Sequence, residues 1–185
     1  GSLDIKVIEI SNPFLPRIIS STLMSVGPER IAISGRYAYY IDSSTQLLEI
    51  FDILNPAGLK RVGSIAIGAN PQNIFVSDRY AYIPHNDGVL GLMIIDIQNP
   101  TSPKLIGNIN NLSGPTEYVT VSGRYAYVFD GGVDRLRIYD VSNAAKPVQV
   151  GAVGIGPTPI HITVVGKYVY IIDQFSVDLR IIDVC

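Results

Sequence analysis

The sequence lacks the residues that would crosslink it internally. Its one cysteine, Cys185, is the last residue of the chain. An internal disulfide and a cysteine metal cluster are both excluded by this count, although the terminal thiol leaves a bond between two chains open. We expect no cofactor and no metal, and the compartment stays undetermined by cysteine usage.

Charge is also scarce. Lys, Arg, Asp and Glu make up 16% of the 185 residues, the net charge is −2, and no run of basic residues is present. Such a surface does not neutralise a phosphate backbone, so nucleic acid is not an expected partner. No apolar stretch approaches the length of a membrane span, so no membrane insertion is expected within this segment. Gly1 and Ser2 resemble a cloning remnant, and residues 3–185 are predicted to form one repeat domain.

What the chain has in abundance is apolar residues and a repeated word. Apolar residues reach 47%, which favours elements buried on both faces. The word "SGRYAYYID" begins at Ser34, and close copies begin at Ser77, Ser122 and Val165, with first tyrosines 43, 45 and 43 residues apart. This spacing is a repeat period.

A second repeated word confirms the period and marks where each unit starts. "LEIFDILNP" begins at Leu48, and similar words begin at Ile5, Leu92, Leu136 and Leu179. Periods of this size, rich in Val, Ile and Tyr and interrupted by Gly and Pro, predict four-stranded propeller blades. We therefore predict an all-β propeller of about four blades, with units from about 5, 48, 92 and 136 and a partial fifth unit from 179.

These words resemble a known family. "LRIYDVSN" (from Leu136), "LMIIDIQNP" (from Leu92) and "LRIIDV" (from Leu179) are similar to the signature of the LVIVD-repeat β-propellers, and "SGRYAYV" is similar to their second strand. The resemblance implies a β-propeller and an extracellular or cell-surface location in bacteria or archaea. It implies surface interaction rather than a shared reaction.

Repeated polar residues are expected to build the scaffold. The acidic position before each turn recurs in every unit, where a carboxylate can accept backbone N–H bonds, so a ring of metal ligands is the weaker interpretation. "HNDG" (from His85) and "DGGVD" (from Asp130) suggest turns more than calcium loops, because they lack a calcium-loop spacing.

Positions that differ between copies are the better candidates for a site. One residue precedes each predicted first strand, and these equivalent residues differ in chemistry: Arg30, Asn73, Tyr118 and His161. The connections between second and third strands lie at the same channel mouth and carry further polar residues. We predict ligand binding at this mouth by Glu29, Arg30, Gln72, Asn73, Glu117, Tyr118, His161, Asp42, His85, Asp87, Asp130 and Asp173.

Three functions remain open on the sequence alone. The first is a non-catalytic module that binds a protein or glycan at this mouth. The second is a hydrolase or lyase that uses His161 or His85 with a nearby carboxylate as acid and base. The third is a structural spacer, because loop tips and channels are polar in any propeller.

The predicted strand count conflicts with simple closure into four blades. Seventeen strands are predicted, one more than four blades of four need, because Ile5 and Leu179 both begin a third strand. We expect either a homodimer that forms a ring of about eight blades or neighbouring blades of a longer chain.

Overall fold

The protein is built from β-strands in five antiparallel sheets. The computed structural model describes residues 4–23, 30–87, 89–156, 159–173 and 179–184, and within them it contains seventeen strands and no helix. None of these described residues forms a helix that could cross a membrane. The prediction of an all-β propeller with about four blades and part of a further unit is confirmed.

Three of the sheets are complete blades of four strands. In each, the strands follow one another in sequence order from the inner strand to the outer strand, and each pairs antiparallel with the next. The complete blades are β3–β6 (Arg30–Ser34, Tyr37–Asp42, Leu47–Asp52, Lys60–Ala66), β7–β10 (Phe75–Ser77, Tyr80–Pro84, Leu92–Asp96, Lys104–Ile109) and β11–β14 (Val119–Ser122, Tyr125–Asp130, Arg135–Asp140, Val148–Gly154).

The two ends of the chain form incomplete sheets. The N-terminal sheet pairs only a third and a fourth strand, β1 (Asp4–Glu9) and β2 (Arg17–Leu23). The C-terminal sheet has first, second and third strands, β15 (Pro159–Val165), β16 (Tyr168–Asp173) and β17 (Leu179–Asp183). Inner strands contact one another from β3 to β7, β11 and β15, and no comparable contact joins β15 to β3 in the described part of the chain.

Tight turns between first and second strands explain the repeated "SGRY" word. Gly35, Gly123 and Gly166 have φ angles of 56°, 56° and 59°. Asp78 takes the equivalent position with φ 51°, which Asp adopts more readily than most residues with a Cβ. The predicted left-handed turn is confirmed at all four positions.

Alternating side chains on each second strand pack neighbouring blades together. On β4, Tyr39 and Ile41 join the core shared with the following blade, whereas Ala38 and Tyr40 join the core on the opposite face. The β7–β10 blade lies between two complete blades, so both faces of its third strand are buried, which explains the apolar run from Leu92 to Ile95.

The acidic residue that ends each third strand is held by a basic residue of the neighbouring turn. Asp52 accepts a hydrogen bond from the Leu54 N–H at 2.9 Å, which confirms its predicted turn role. It also pairs with Arg36, whose hydrogen bond lowers the pKa of Asp52 to about 2. Equivalent pairs recur in three other units: Asp96 with Arg79, Asp140 with Arg124, and Asp183 with Lys167. Glu9 pairs instead with Arg17, which lies opposite it at the start of β2.

Candidate binding site at the channel mouth

Strand order brings two kinds of connection to one end of the propeller. Each blade alternates direction four times, so the connection from second to third strand lies at the same end as the start of the first strand. The turns from first to second and from third to fourth strand lie at the opposite end. All the predicted site residues described by the structure therefore lie toward one mouth.

The starts of the inner strands surround one small cavity. Asn73, Tyr118 and His161, which are equivalent by the repeat, line a cavity of about 180 Å³ together with the apolar residues and threonines that follow them. The sequence prediction that these three positions share a channel mouth agrees with this geometry.

Arg30, at the fourth equivalent position, affects the pKa of Tyr118. Burial raises the pKa of Tyr118, the negative charge of Glu117 raises it further, and the positive charge of Arg30 opposes the shift. His161 and Arg30 are exposed, whereas Asn73 and Tyr118 are half-buried.

The backbone around these side chains is fixed by local hydrogen bonds. The Tyr118 carbonyl accepts the Phe129 N–H at 3.2 Å, and the Asn73 side-chain oxygen accepts the Ile74 N–H at 2.8 Å. Gln72 donates its side-chain amide to the Asn70 carbonyl at 3.2 Å, and Glu117 accepts from the Asn86 amide at 3.5 Å. Glu29 lies outside the described residues.

The acidic residues of the connections are placed differently. Asp42 is buried and accepts the N–H groups of Ser44 and Thr45, both at 3.0 Å. Asp87 accepts those of Val89 and Leu90, at 2.9 and 2.8 Å. These bonds cap their own turns, so the carboxylates shape the mouth without facing a ligand.

Asp130 and Asp173 are also inside the protein. Asp130 is fully buried, accepts the Ser113 N–H at 2.9 Å and pairs with Arg137 at 2.7 Å. Asp173 is buried at the end of β16. We predicted that Asp42, Asp130 and Asp173 take part in ligand binding. All three side chains are buried at the ends of second strands, so their carboxylates are not exposed to a ligand in this structure.

His85 occupies a closed environment. It is fully buried, with Nδ1 3.0 Å from the Ile83 carbonyl oxygen and Nε2 2.7 Å from the Ile67 carbonyl oxygen. Burial lowers the pKa of His85, against the opposing effects of the two carbonyls and Asp87. A ring whose two nitrogens both face carbonyl oxygens and that is closed to solvent is not placed as a surface acid or base, so we leave His85 out of the surface proposed below to bind a ligand.

A second polar recess was not identified from the sequence. Five amide and aromatic residues around the outer strands of two neighbouring blades line a cavity of about 250 Å³: Asn108, Asn110, Asn111, Tyr139 and Gln149. The Tyr139 hydroxyl donates to the Asn111 side-chain oxygen at 3.0 Å. The only sequence signal is "GNINNLS" (from Gly107), an amide-rich stretch without a counterpart in the other units.

The comparisons with known proteins agree on the architecture. The model of the LVIVD repeat matches residues 28–66, 68–111, 113–154 and 160–185. A search of curated proteins finds no match.

Solved propeller-like structures align with nearly the whole chain. A functionally unknown protein from Desulfotomaculum acetoxidans is similar at 16% identity and TM-score 0.80, over 98% of this chain and 63% of that one. The computationally designed Ika8 protein is similar at 10% identity and TM-score 0.73, over 98% and 53%. A chain of a nidogen–laminin complex is similar at 19% identity and TM-score 0.68, over 92% and 64%. The chain thus spans between half and two thirds of these proteins.

Proposed function

Because the chain belongs to the LVIVD-repeat family, a family of propeller modules, we propose that it is a non-catalytic binding module. Its recognition surface is the channel mouth formed by Arg30, Asn73, Tyr118 and His161, and its ligand is a protein or a glycan. The proposal rests on one observation: four positions that are equivalent by the repeat have four different side chains, and three of these line one cavity. Packing of identical blades does not require such diversity.

The size of the cavity favours a projecting group over a free small molecule. At about 180 Å³, it lies below the 300–1,000 Å³ that is usual for small-molecule sites. A protruding side chain or a terminal sugar residue fits this volume, while the rest of a larger ligand rests on the rim. The exposed Arg30 and His161 stand at the surface where that rest would lie.

The chemistry of the mouth suits hydrogen-bonded recognition. An amide, a phenol, an imidazole and a guanidinium offer both donors and acceptors, and the Tyr118 ring offers an apolar face for a sugar or a side chain. Tyr and Arg are also residue types that contribute most to binding at protein interfaces.

The alternative of a hydrolase or lyase finds no support in the geometry of the two histidines, although a putative 6-phosphogluconolactonase from Bacteroides fragilis shares the fold at 16% identity and TM-score 0.80. His85 is enclosed by carbonyl oxygens, and the described residues that line the His161 cavity include no carboxylate. The matched chain of the nidogen–laminin complex belongs to a protein assembly, which makes protein recognition a reasonable use of the fold. We also propose an extracellular or cell-surface location, which fractionation of the source cells would test.

Arrays of glycans and of extracellular proteins, probed with the labelled protein, test the proposed function. Once a ligand is identified, Asn73→Ala combined with His161→Ala should weaken its binding at least 10-fold, because both side chains line the cavity. Gln98→Ala, an exposed change in a turn at the opposite end, is the matched control and should bind like wild type. A ligand that binds the double variant normally and loses affinity for the control would contradict the proposal.

A further inference from the structure

Interior junctions between blades follow one packing rule. The second and third strands of one blade present Tyr39, Ile41 and Leu48, which pack against the first three strands of the next blade. Two blades further on, Tyr127, Phe129 and Leu136 pack in the same way against Ile162, Val169 and Ile171. Each blade therefore has one face that receives its predecessor and one that covers its successor.

At the C-terminal end, the face that should meet a successor is exposed. Ile172 is equivalent to Phe129 by the repeat, and it is 45% exposed where Phe129 is 5% exposed. Leu179 is equivalent to Leu136, and it is 62% exposed where Leu136 is fully buried. The side chains are of the interior type, so this end has the composition of a blade junction.

At the N-terminal end, the face that should meet a predecessor is only half covered. The β1–β2 sheet covers the outer half, where Ile5 packs on Ala38, Tyr40 and Phe51. On the inner strand, Ile31 is 51% exposed, whereas its equivalents in the three following blades are 5–7% exposed: Ile74, Val119 and Ile162. First and second strands are what this end lacks.

A repeated glycine shows which group should reach the C-terminal end. A Cβ on Gly63 would lie 2.0 Å from the Pro100 carbonyl oxygen, and one on Gly107 would lie 2.0 Å from that of Ala144. In both cases the turn between third and fourth strand of the next blade sits on the glycine. Gly151 is the third equivalent, and the nearest described atom to its Cβ is in Ile138, 3.6 Å away.

We propose that the C-terminal end of one copy binds the β1–β2 hairpin of a second copy. The hairpin is a third and a fourth strand, and β15 and β16 are a first and a second strand, so together they make one complete blade. Pro13 lies in the hairpin turn at the position equivalent to Pro100, so its carbonyl oxygen would meet Gly151. The exposed Ile8 and Ile10 would take the places that Ile182 and Val184 fill in a single copy.

The redundant third strand in this arrangement is β17, which gives way to β1 of the second copy. Six residue pairs join β1 to β2, and the turn is closed by a hydrogen bond of 3.0 Å from the Leu15 N–H to the Asn12 carbonyl. The hairpin is also tied to its own neighbouring blade, because the Ser20 hydroxyl donates to the Pro56 carbonyl at 2.6 Å. β17 is tied to its own neighbouring blade as well, because Arg180 donates to the Ile155 carbonyl and Ile182 and Val184 pack on that blade, so the hairpin of the second copy has to replace these contacts.

Two such junctions close a ring. Each copy supplies three complete blades and half of each junction blade, so two copies form eight blades, within the usual range of four to eight. The contact is head-to-tail, and a head-to-tail contact gives a closed assembly when its rotation closes. The end faces are thereby buried as the interior ones are.

Light scattering coupled to gel filtration is the first test. The wild-type protein at 10–100 µM should elute with about twice the 20.1 kDa mass of one chain. Ile172→Asp and Ile31→Lys should each give monomers, because each places a charge in one half of every junction. An equimolar mixture of the two should recover dimers, since one junction is then wild type and the other pairs Asp with Lys.

Leu54→Asp and Gly154→Ala are the controls for this test, and Gly151→Val is a further test of the contact with the hairpin turn. Leu54→Asp puts the same charge on a side chain that is exposed outside both end faces, and it should leave the dimer intact. Gly151→Val should fold normally, because no backbone lies near that Cβ, but it should block the turn of the second copy. Gly154→Ala, which meets nothing within 4 Å, should dimerise like wild type. A monomeric wild-type protein, or an Ile31→Lys protein that stays dimeric, would overturn the proposal.

The displacement of β17 has its own test. In complete blades, second and third strands place Tyr37 opposite Asp52 and Tyr125 opposite Asp140, so Tyr168 should face Glu9 of the second copy. In a Cys185→Ser background, Tyr168→Cys with Glu9→Cys should form a disulfide-linked dimer on a non-reducing gel. A dimer in which this bond does not form while β17 stays protected from protease would refute hairpin entry.

Discussion

Two groups of polar residues share one mouth of this propeller and are placed in opposite ways. At the starts of the inner strands, Asn73, Tyr118 and His161 line an open cavity. At the ends of the second strands, Asp42, His85 and Asp130 are buried and bonded to backbone groups and to Arg137. Residues of similar chemistry therefore line a cavity in one group, where we propose that they bind a ligand, and are enclosed in the scaffold in the other.

The difference follows from what each connection has to accomplish. A tight turn after the second strand leaves N–H groups that a short side chain must satisfy, because a buried polar group without a partner costs free energy. The start of the inner strand faces the channel, where water can satisfy any polar side chain. We therefore expect substitutions at the ends of the second strands to lower stability, and substitutions at the starts of the inner strands to change ligand binding instead.

The largest expected effect is at Asp130. Asp130→Ala should destabilise the protein by about 3–5 kcal/mol, because it leaves the largely buried Arg137 and the Ser113 N–H without their partner. Urea unfolding followed by circular dichroism measures this. Asp140→Ala, which removes a pair with the exposed Arg124, is the control and should cost much less. Equal losses for the two variants would show that Asp130 is not part of the scaffold.

A smaller effect is expected from the titration of His85. Burial lowers the pKa of His85 in the folded protein, while the unfolded chain takes up a proton near pH 6.5. Stability should therefore fall as the pH drops below about 6.5, by at most about 1.4 kcal/mol per pH unit. Unfolding free energies at pH 7.5 and 5.5 test this.

The matched variants for this pH test are the two histidines. His161→Ala leaves His85 in place and should keep the pH-dependent part of the loss that His85 causes. His85→Gln should be less stable at both pH values and should lack that part. A wild-type protein whose stability is the same at pH 7.5 and 5.5 would rule out a lowered pKa of His85 in the folded state.

The fold could be predicted from the sequence because the sequence of one blade is repeated several times along the chain. Repeated words set the strand boundaries, the left-handed turns and the acidic turn residues, and the structure has them at those positions. The incomplete sheets also follow from counting third strands. The repeats say less about pairs formed between different parts of a blade, such as Asp130 with Arg137.

The candidate site was only partly predictable for the same reason. Comparing copies separated Asn73, Tyr118 and His161 from the scaffold, since unlike residues at equivalent positions are not required by packing. The same comparison also selected His85 and Asp130, whose differences between copies reflect local turn chemistry. Burial distinguishes the two causes, and burial depends on neighbouring blades far away in sequence.

The smallest expected effect on stability is at the channel mouth, and it completes the comparison. Arg30→Ala and His161→Ala remove exposed side chains, so each should change stability by no more than about 0.5 kcal/mol. For a chain of this size that corresponds to a melting-temperature change of about 1–2 °C, measurable by calorimetry. Either variant melting as early as Asp130→Ala would assign these residues to the scaffold. The distinction between recognition and stability groups at this mouth would then fail.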